Sequence, residues 1–181
     1  RSDAEGDRWA DRLARESERP EIGCRATLAV AAILEGRGRA DEAAALLADD
    51  EIDAHRTART AVSLEYSLEQ ARLAALTDDL EEAQSIADQL AEKAAVVGDN
   101  RREELARDIA SASRSAREES PPDRLESRLE FAREHNIPRA LHRAHRLLAL
   151  ALEPSAPSAA RDHRRAADEL AREMAYSDRA A

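Results

Sequence analysis

Three observations predict an all-α fold. Apolar residues recur at alternating three- and four-residue steps along most of the chain, which lines them on one face of a helix. Hydrophobic residues make up 43% of the 181 residues but aromatics only 2%, so the interior must be built from Ala, Leu, Val and Ile, which suits close helix–helix contact. Five glycines and six prolines leave little turn material for a sheet. The expected architecture is an array of antiparallel helical hairpins, eight to nine helices in all, occupying residues 1–181 as a single domain.

Taken in order, residues 3–19 read as a short amphipathic helix with Trp9 and Leu13 inward, stopped by Pro20. Glu21 to Glu35 forms the next; its centre, ATLAVAAIL, is apolar nearly all round, which indicates burial on more than one side. Cys24 reads as a small buried hydrophobe. The run GRGR at 36–39 breaks the chain, and Asp41 to Ala48 follows with Ala43, Leu46 and Leu47 inward. Beyond the acidic junction 49–51, Arg59 to Leu76 carries a stripe at Ala61, Leu64, Leu68, Ala71 and Ala75.

The segment from Asp78 to Gly98 is the most regular. Leu80, Ala83, Ala87, Leu90, Ala94 and Val97 share a face, Asp78 reads as the N-cap with Glu81 as its capping-box partner, and Gly98 supplies a left-handed stop. It should pack on 59–76 across the turn at Thr77–Asp78. Residues 99–119 have a weak stripe (Leu105, Ile109, Ala112, Ala116) and run into SASRSAREESPP, so this helix is expected to be peripheral and the Ser/Pro stretch linker-like. Asp123–His135 and Pro138–Leu152 form a further hairpin, with Pro138 in a first turn where its missing N–H costs little. A stop at 153–158 precedes the last helix, 159–176, with His163, Ala167, Leu170 and Met174 on one face.

Three turns share a pattern: GRADEA at 38–43, DDLEEA at 78–83 and HNIPRA at 135–140, each ending in an alanine one turn into the following helix. The pattern resembles, in degenerate form, the tetratricopeptide repeat, whose paired helices surround a Gly-Asp-x-x-Glu-Ala-like turn and close on proline. Gly38, Asp41, Glu42 and Ala43 carry the resemblance in the first unit, Asp79, Glu82 and Ala83 in the second, and Ala140, Leu147, Leu150 and Pro154 in the third. It implies hairpin units at about 3–50, 51–98 and 121–154, with 99–119 and 159–176 as extra helices, stacked into a right-handed α-solenoid. It also implies a concave groove, lined by 21–35, 57–76 and 123–135, that takes a peptide or helix of another protein. Arg59, Tyr66 and Arg72 are the candidate groove residues.

The formal net charge of −10 disfavours general nucleic-acid binding, which needs cations to displace counterions from phosphate. The charge is uneven. Residues 121–181 hold 11 Arg against 10 acids, and no acid lies between Pro138 and Glu153. On a helical wheel Arg139, His142, Arg143 and Arg146 share a face opposite Ala140, Leu141, Ala144, Leu147, Leu148 and Ala151, with His145 at the border. This basic face is either a partner-binding surface or one that pairs with acids within the molecule.

Lys93 is the only lysine, a bias expected of a high-salt cytoplasm or of a GC-rich genome. A lone cysteine forbids an intrachain disulfide, so a reducing, cytoplasmic compartment is expected. No apolar run approaches the ~20 residues that span a bilayer, and no signal peptide is visible; the chain opens on Arg1 and reads as a piece of something longer.

His142 and His145 have a spacing that can present two ligands, but too few further donors accompany them for a zinc site. No nucleophile–base signature, phosphate-cradling glycine loop or HExxH occurs. The expected function is therefore non-enzymatic, without cofactor or metal: a protein-interaction or scaffolding module. The alternative is a regulatory helical domain of a larger transcription regulator or ATPase, its basic C-terminal face meeting nucleic acid or a neighbouring domain.

Overall fold

A computed structural model describes residues 20–48 and 60–180, all of which are helical or in short turns, with no strand among them. The helix read over 3–19 with Trp9 and Leu13, the acidic junction 49–51, and Arg59 lie outside the described residues. Eight helices are described: α1 (Pro20–Gly36), α2 (Ala40–Ala48), α3 (Thr60–Leu76), α4 (Leu80–Val97), α5 (Asn100–Glu118), α6 (Asp123–Glu134), α7 (Pro138–Leu152) and α8 (Pro157–Ala180). None is long and apolar enough to cross a membrane.

One closure ends helix after helix. The residue just beyond the helix takes a left-handed backbone, and the next N–H reaches back to the carbonyl five residues earlier, the Schellman pattern. Gly38 (φ 75°) lets Arg39 N–H donate to the Leu34 carbonyl at 2.9 Å. Asp78 (φ 65°) does the same for Asp79 onto Ala74 at 2.9 Å, and Gly98 (φ 74°) for Asp99 onto Ala94 at 2.9 Å. Glu119 and Asn136, both at φ 50°, set Ser120 onto Ser115 and Ile137 onto Ala132.

This closure moves the start of α4 by one residue from the sequence reading. Asp78 is consumed as the left-handed residue, so the N-cap is Asp79, whose Oδ1 accepts from the Glu82 backbone N–H at 3.3 Å. Two adjacent aspartates made the choice invisible in sequence; the bond back to Ala74 decides it. Asp99 repeats the device on α5, accepting from the Arg102 N–H at 3.1 Å. That bond, and then the Arg102 guanidinium, hold the Asp99 carboxyl below its ordinary pKa.

The contacts fall into two compact units, Arg1–Ala106 and Arg107–Ala181. In the first, α1 packs on α2, both meet α3, and α3 packs on α4. Cys24, Val30, Ala31, Leu34, Ala43, Leu47, Val62, Tyr66 and Leu73 form one core; Leu64, Leu90, Ala91, Ala94 and Ala106 form another. Helix α3 thus faces neighbours on several sides, and its buried set (Val62, Leu64, Tyr66, Ala71, Leu73, Ala74, Ala75) is wider than the stripe read from sequence. Ala61 of that stripe is exposed.

In the second unit α6 packs on α7 and α7 on α8, around Ala112, Leu125, Leu129, Ala144, Leu148 and Ala151. The segment expected to be peripheral is well covered: Ile109, Ala110, Ala112, Ser113, Ser115 and Ala116 of α5 are all buried. Its inward side chains are small, so they carry little hydropathy signal while permitting close approach.

Candidate functional site

Two surfaces combine exposure with chemistry, one in each unit. The first lies on the α3–α4 pair. Helix α3 presents Ser63, Ser67 and Gln70, and α4 presents Ile86, Gln89, Leu90 and Lys93, around an open groove of about 470 Å³. Each set follows four- and three-residue steps, so each forms one row along its helix. Leu90 belongs to the core beneath, which gives the groove an apolar floor. Its walls are two hydroxyls, two amides and one ammonium, and Lys93 at the rim is exposed. Gln70 is anchored, its Nε2 donating to the Leu47 carbonyl at 2.5 Å. Gln89 Nε2 donates to Ser85 Oγ at 3.4 Å. The arrangement can donate hydrogen bonds along a ~10 Å row and place one positive charge at its edge.

The residues expected to line a groove have other places. Tyr66 is 0% exposed, and its hydroxyl donates to the same Leu47 carbonyl at 3.2 Å, satisfying an acceptor left open at the end of α2. It is a core residue, not a surface contact. Arg72 grips Glu35 of α1 through both terminal nitrogens (2.7 and 2.6 Å) and Glu69 through Nε (2.7 Å). Burial alone would lower its pKa, but the hydrogen bonds it donates to the Glu35 and Glu69 carboxylates, and their negative charge, outweigh it and hold the guanidinium above its usual value. Arg72 therefore ties α1 to α3 and is not presented along the groove. Arg59 lies outside the described residues.

The second surface is the basic face of α7. Arg139, Arg143 and Arg146 are exposed and His142 is half-buried, while Ala144, Leu148 and Ala151 face the core. Beside it, Asp108 of α5 is 7% exposed and accepts from Arg124 Nε (3.0 Å) and Arg128 Nε (3.3 Å) of α6. Burial pushes the Asp108 carboxyl up despite Arg124 and the field of Arg143. Part of the arginine charge in this unit is thus directed at an internal acid.

His145 faces α8, not the basic row. Its Nδ1 lies 2.8 Å from Nδ1 of His163. Among the described residues no group of three or more His, Cys, Asp or Glu is placed to hold a metal. Burial raises the pKa of the Cys24 thiol, which keeps it protonated and unreactive. No protein-family model, curated protein or solved structure matches the chain.

Proposed function

We propose that this chain is a non-enzymatic interaction module, an array of antiparallel helical hairpins of tetratricopeptide-like kind, that binds a peptide segment of another protein along the α3–α4 groove. The observation that carries the reading is the groove itself. A row of hydroxyl and amide donors stands over an apolar floor, with the chain's one lysine at the rim. Polar donors of this kind satisfy the backbone and side-chain acceptors of an extended or helical peptide, while Ile86 and Leu90 take one apolar side chain. The rim ammonium favours a peptide with a carboxylate beside that apolar anchor.

Support for the hairpin array comes from the short turns and the repeated left-handed closure. Helices joined by turns of three residues, as at 37–39 and 77–79, and packed on one another suit antiparallel pairs. Ala43 and Ala83 are fully buried at matching places, each N–H bonded to the carbonyl of the residue that follows the left-handed one, Arg39 and Asp79. In the third unit that register falls on Leu141, whose N–H bonds to Ile137, one residue beyond the alanine at 140.

A display library of short peptides panned against the whole chain tests the reading. Enriched sequences should pair an acidic residue with an apolar one. Lys93→Glu should weaken the selected peptides by about tenfold or more, the loss expected when an attractive rim charge becomes repulsive. Ser67→Trp should abolish binding by filling the groove. Failure of both substitutions to alter binding would remove the groove from the account.

A second reading rests on the exposed arginine row of α7, Arg139, Arg143 and Arg146, which suits an anionic partner such as a nucleic-acid backbone. It predicts duplex binding at low salt that declines steeply as salt rises. Absence of binding at low salt eliminates it.

A further inference from the structure

The face that α8 lays on α7 is built mostly of small side chains. Of its side chains described, Ala160 and Ala167 are the buried apolar ones, with Leu170 and Met174 half-buried. Small side chains let α8 lie close along α7, and a directed side-chain contact is added to that packing. That contact is the pair His145–His163, with Nδ1 atoms 2.8 Å apart and ring centroids at 5.1 Å. An ion pair between Arg164 and Glu153 accompanies it, with both side chains about half exposed.

A hydrogen bond between two Nδ1 atoms dictates protonation. One ring must carry its proton on Nδ1 and donate; the other must keep Nδ1 bare and carry its proton on Nε2. A single added proton can be tolerated, since an imidazolium still donates to a neutral ring. A second leaves two donors and no acceptor, with two positive charges in contact. We propose that the His145–His163 contact is an acid-released latch, closing α8 onto α7 while at least one ring is neutral and freeing α8 when both are protonated.

The surroundings favour release over capture. Facing the pair are Arg133 and Glu126 from α6, His142 from α7 and Asp162 from α8. Burial lowers the pKa of both rings; His163, Arg133 and His142 add to this for His145. Asp162 and Glu126 partly offset it for His163. His142, on the same helix, is likewise lowered by burial and by Arg146, against Asp168 of α8. For rings whose closed-state pKa lies below the ordinary value of about 6.5, the stabilisation is full above that pH and disappears as pH falls through the closed-state values. Because two protons drive opening, the open-to-closed ratio rises by at most about a hundredfold per pH unit. Release would uncover the flank of α7 that α8 occupies, an acid-dependent surface separate from the α3–α4 groove.

Hydrogen exchange on the whole chain, corrected for intrinsic rates, tests this between pH 7.5 and 5. Protection of amides 160–174 should fall by at least about tenfold, while that of α3 and α4 is retained. In the double variant His145→Gln, His163→Gln, whose amides still hydrogen-bond but take no proton, most of the fall in α8 protection should disappear, leaving only the smaller part due to His142. His142→Gln should keep most of the fall. Equal falls in wild type and double variant, or no fall in wild type, would overturn the latch. If the double variant does not dock α8 at neutral pH, nitrogen NMR of the wild-type imidazoles decides. One Nδ1–H and one Nε2–H ring supports the latch, and two Nε2–H rings refute it.

Discussion

Tyr66 and Gln70 converge on the Leu47 carbonyl, at the end of α2, where the last carbonyls have no intrahelical partner. Because Gln70 remains, Tyr66→Phe should cost only about 0.5–1.5 kcal/mol in a denaturation measurement. Tyr66→Ala should cost several-fold more, through the cavity it opens. Leu148 lies in the core of the second unit, and Leu148→Ala should destabilise that unit by about 2–5 kcal/mol. Arg72→Met is expected to cost about 1 kcal/mol, and the cost should shrink in high salt, since the pairs with Glu35 and Glu69 are partly exposed. Tyr66 illustrates why single residues are hard to place from sequence. A tyrosine among polar neighbours suits a surface contact, and only the arrival of the α2 terminus overhead gives its hydroxyl a buried partner.

At the scale of elements, the left-handed closures yield a prediction whose sign differs by residue. Asp78 adopts a backbone conformation that costs an L-residue, so Asp78→Gly should stabilise the protein by about 0.5–1 kcal/mol. At Gly98 nothing lies within 4 Å of an added methyl, so Gly98→Ala should cost about 1 kcal/mol by backbone strain alone. Asp79→Ala removes the cap of α4 and should cost about 1 kcal/mol. Thermal unfolding of the three variants checks both direction and order.

Helix spans were legible because apolar spacing, Pro138 and the glycines mark them. The regular stripe of α4 is buried at Ala83, Ala87, Leu90 and Ala94, while Val97 at its end is exposed. What sequence hid was of two kinds. Small Ala and Ser side chains gave α5 a faint signal although they are buried. The polar row Ser63, Ser67, Gln70 carries no apolar periodicity, and only the four- and three-residue spacing of its polar side chains marks it as one face. The place of His145 at the border of the basic face is visible on a wheel, but its partner, 18 residues away on another helix, is not.

For the molecule as a whole, the contacts divide into units 1–106 and 107–181, so acid should act unevenly. Among the described residues, the histidines with lowered pKa, His142, His145 and His163, all belong to the second unit. Stability of that unit should therefore decline as pH falls below about 6.5, while the Asp99 cap in the first unit is lost only at lower pH, where that carboxyl titrates. Urea melts followed by site-specific probes in each unit at pH 7.5 and 5.5 would separate the two responses; parallel losses in both units would contradict it.

The interaction reading stands on the α3–α4 groove, and amide chemical-shift mapping of the whole chain with a panned acidic–apolar peptide tests it most directly. Shifts should concentrate at residues 63–70 and 86–93 and be lost in Lys93→Glu. Shifts centred on the arginine row 139–146, with the groove silent, would contradict it.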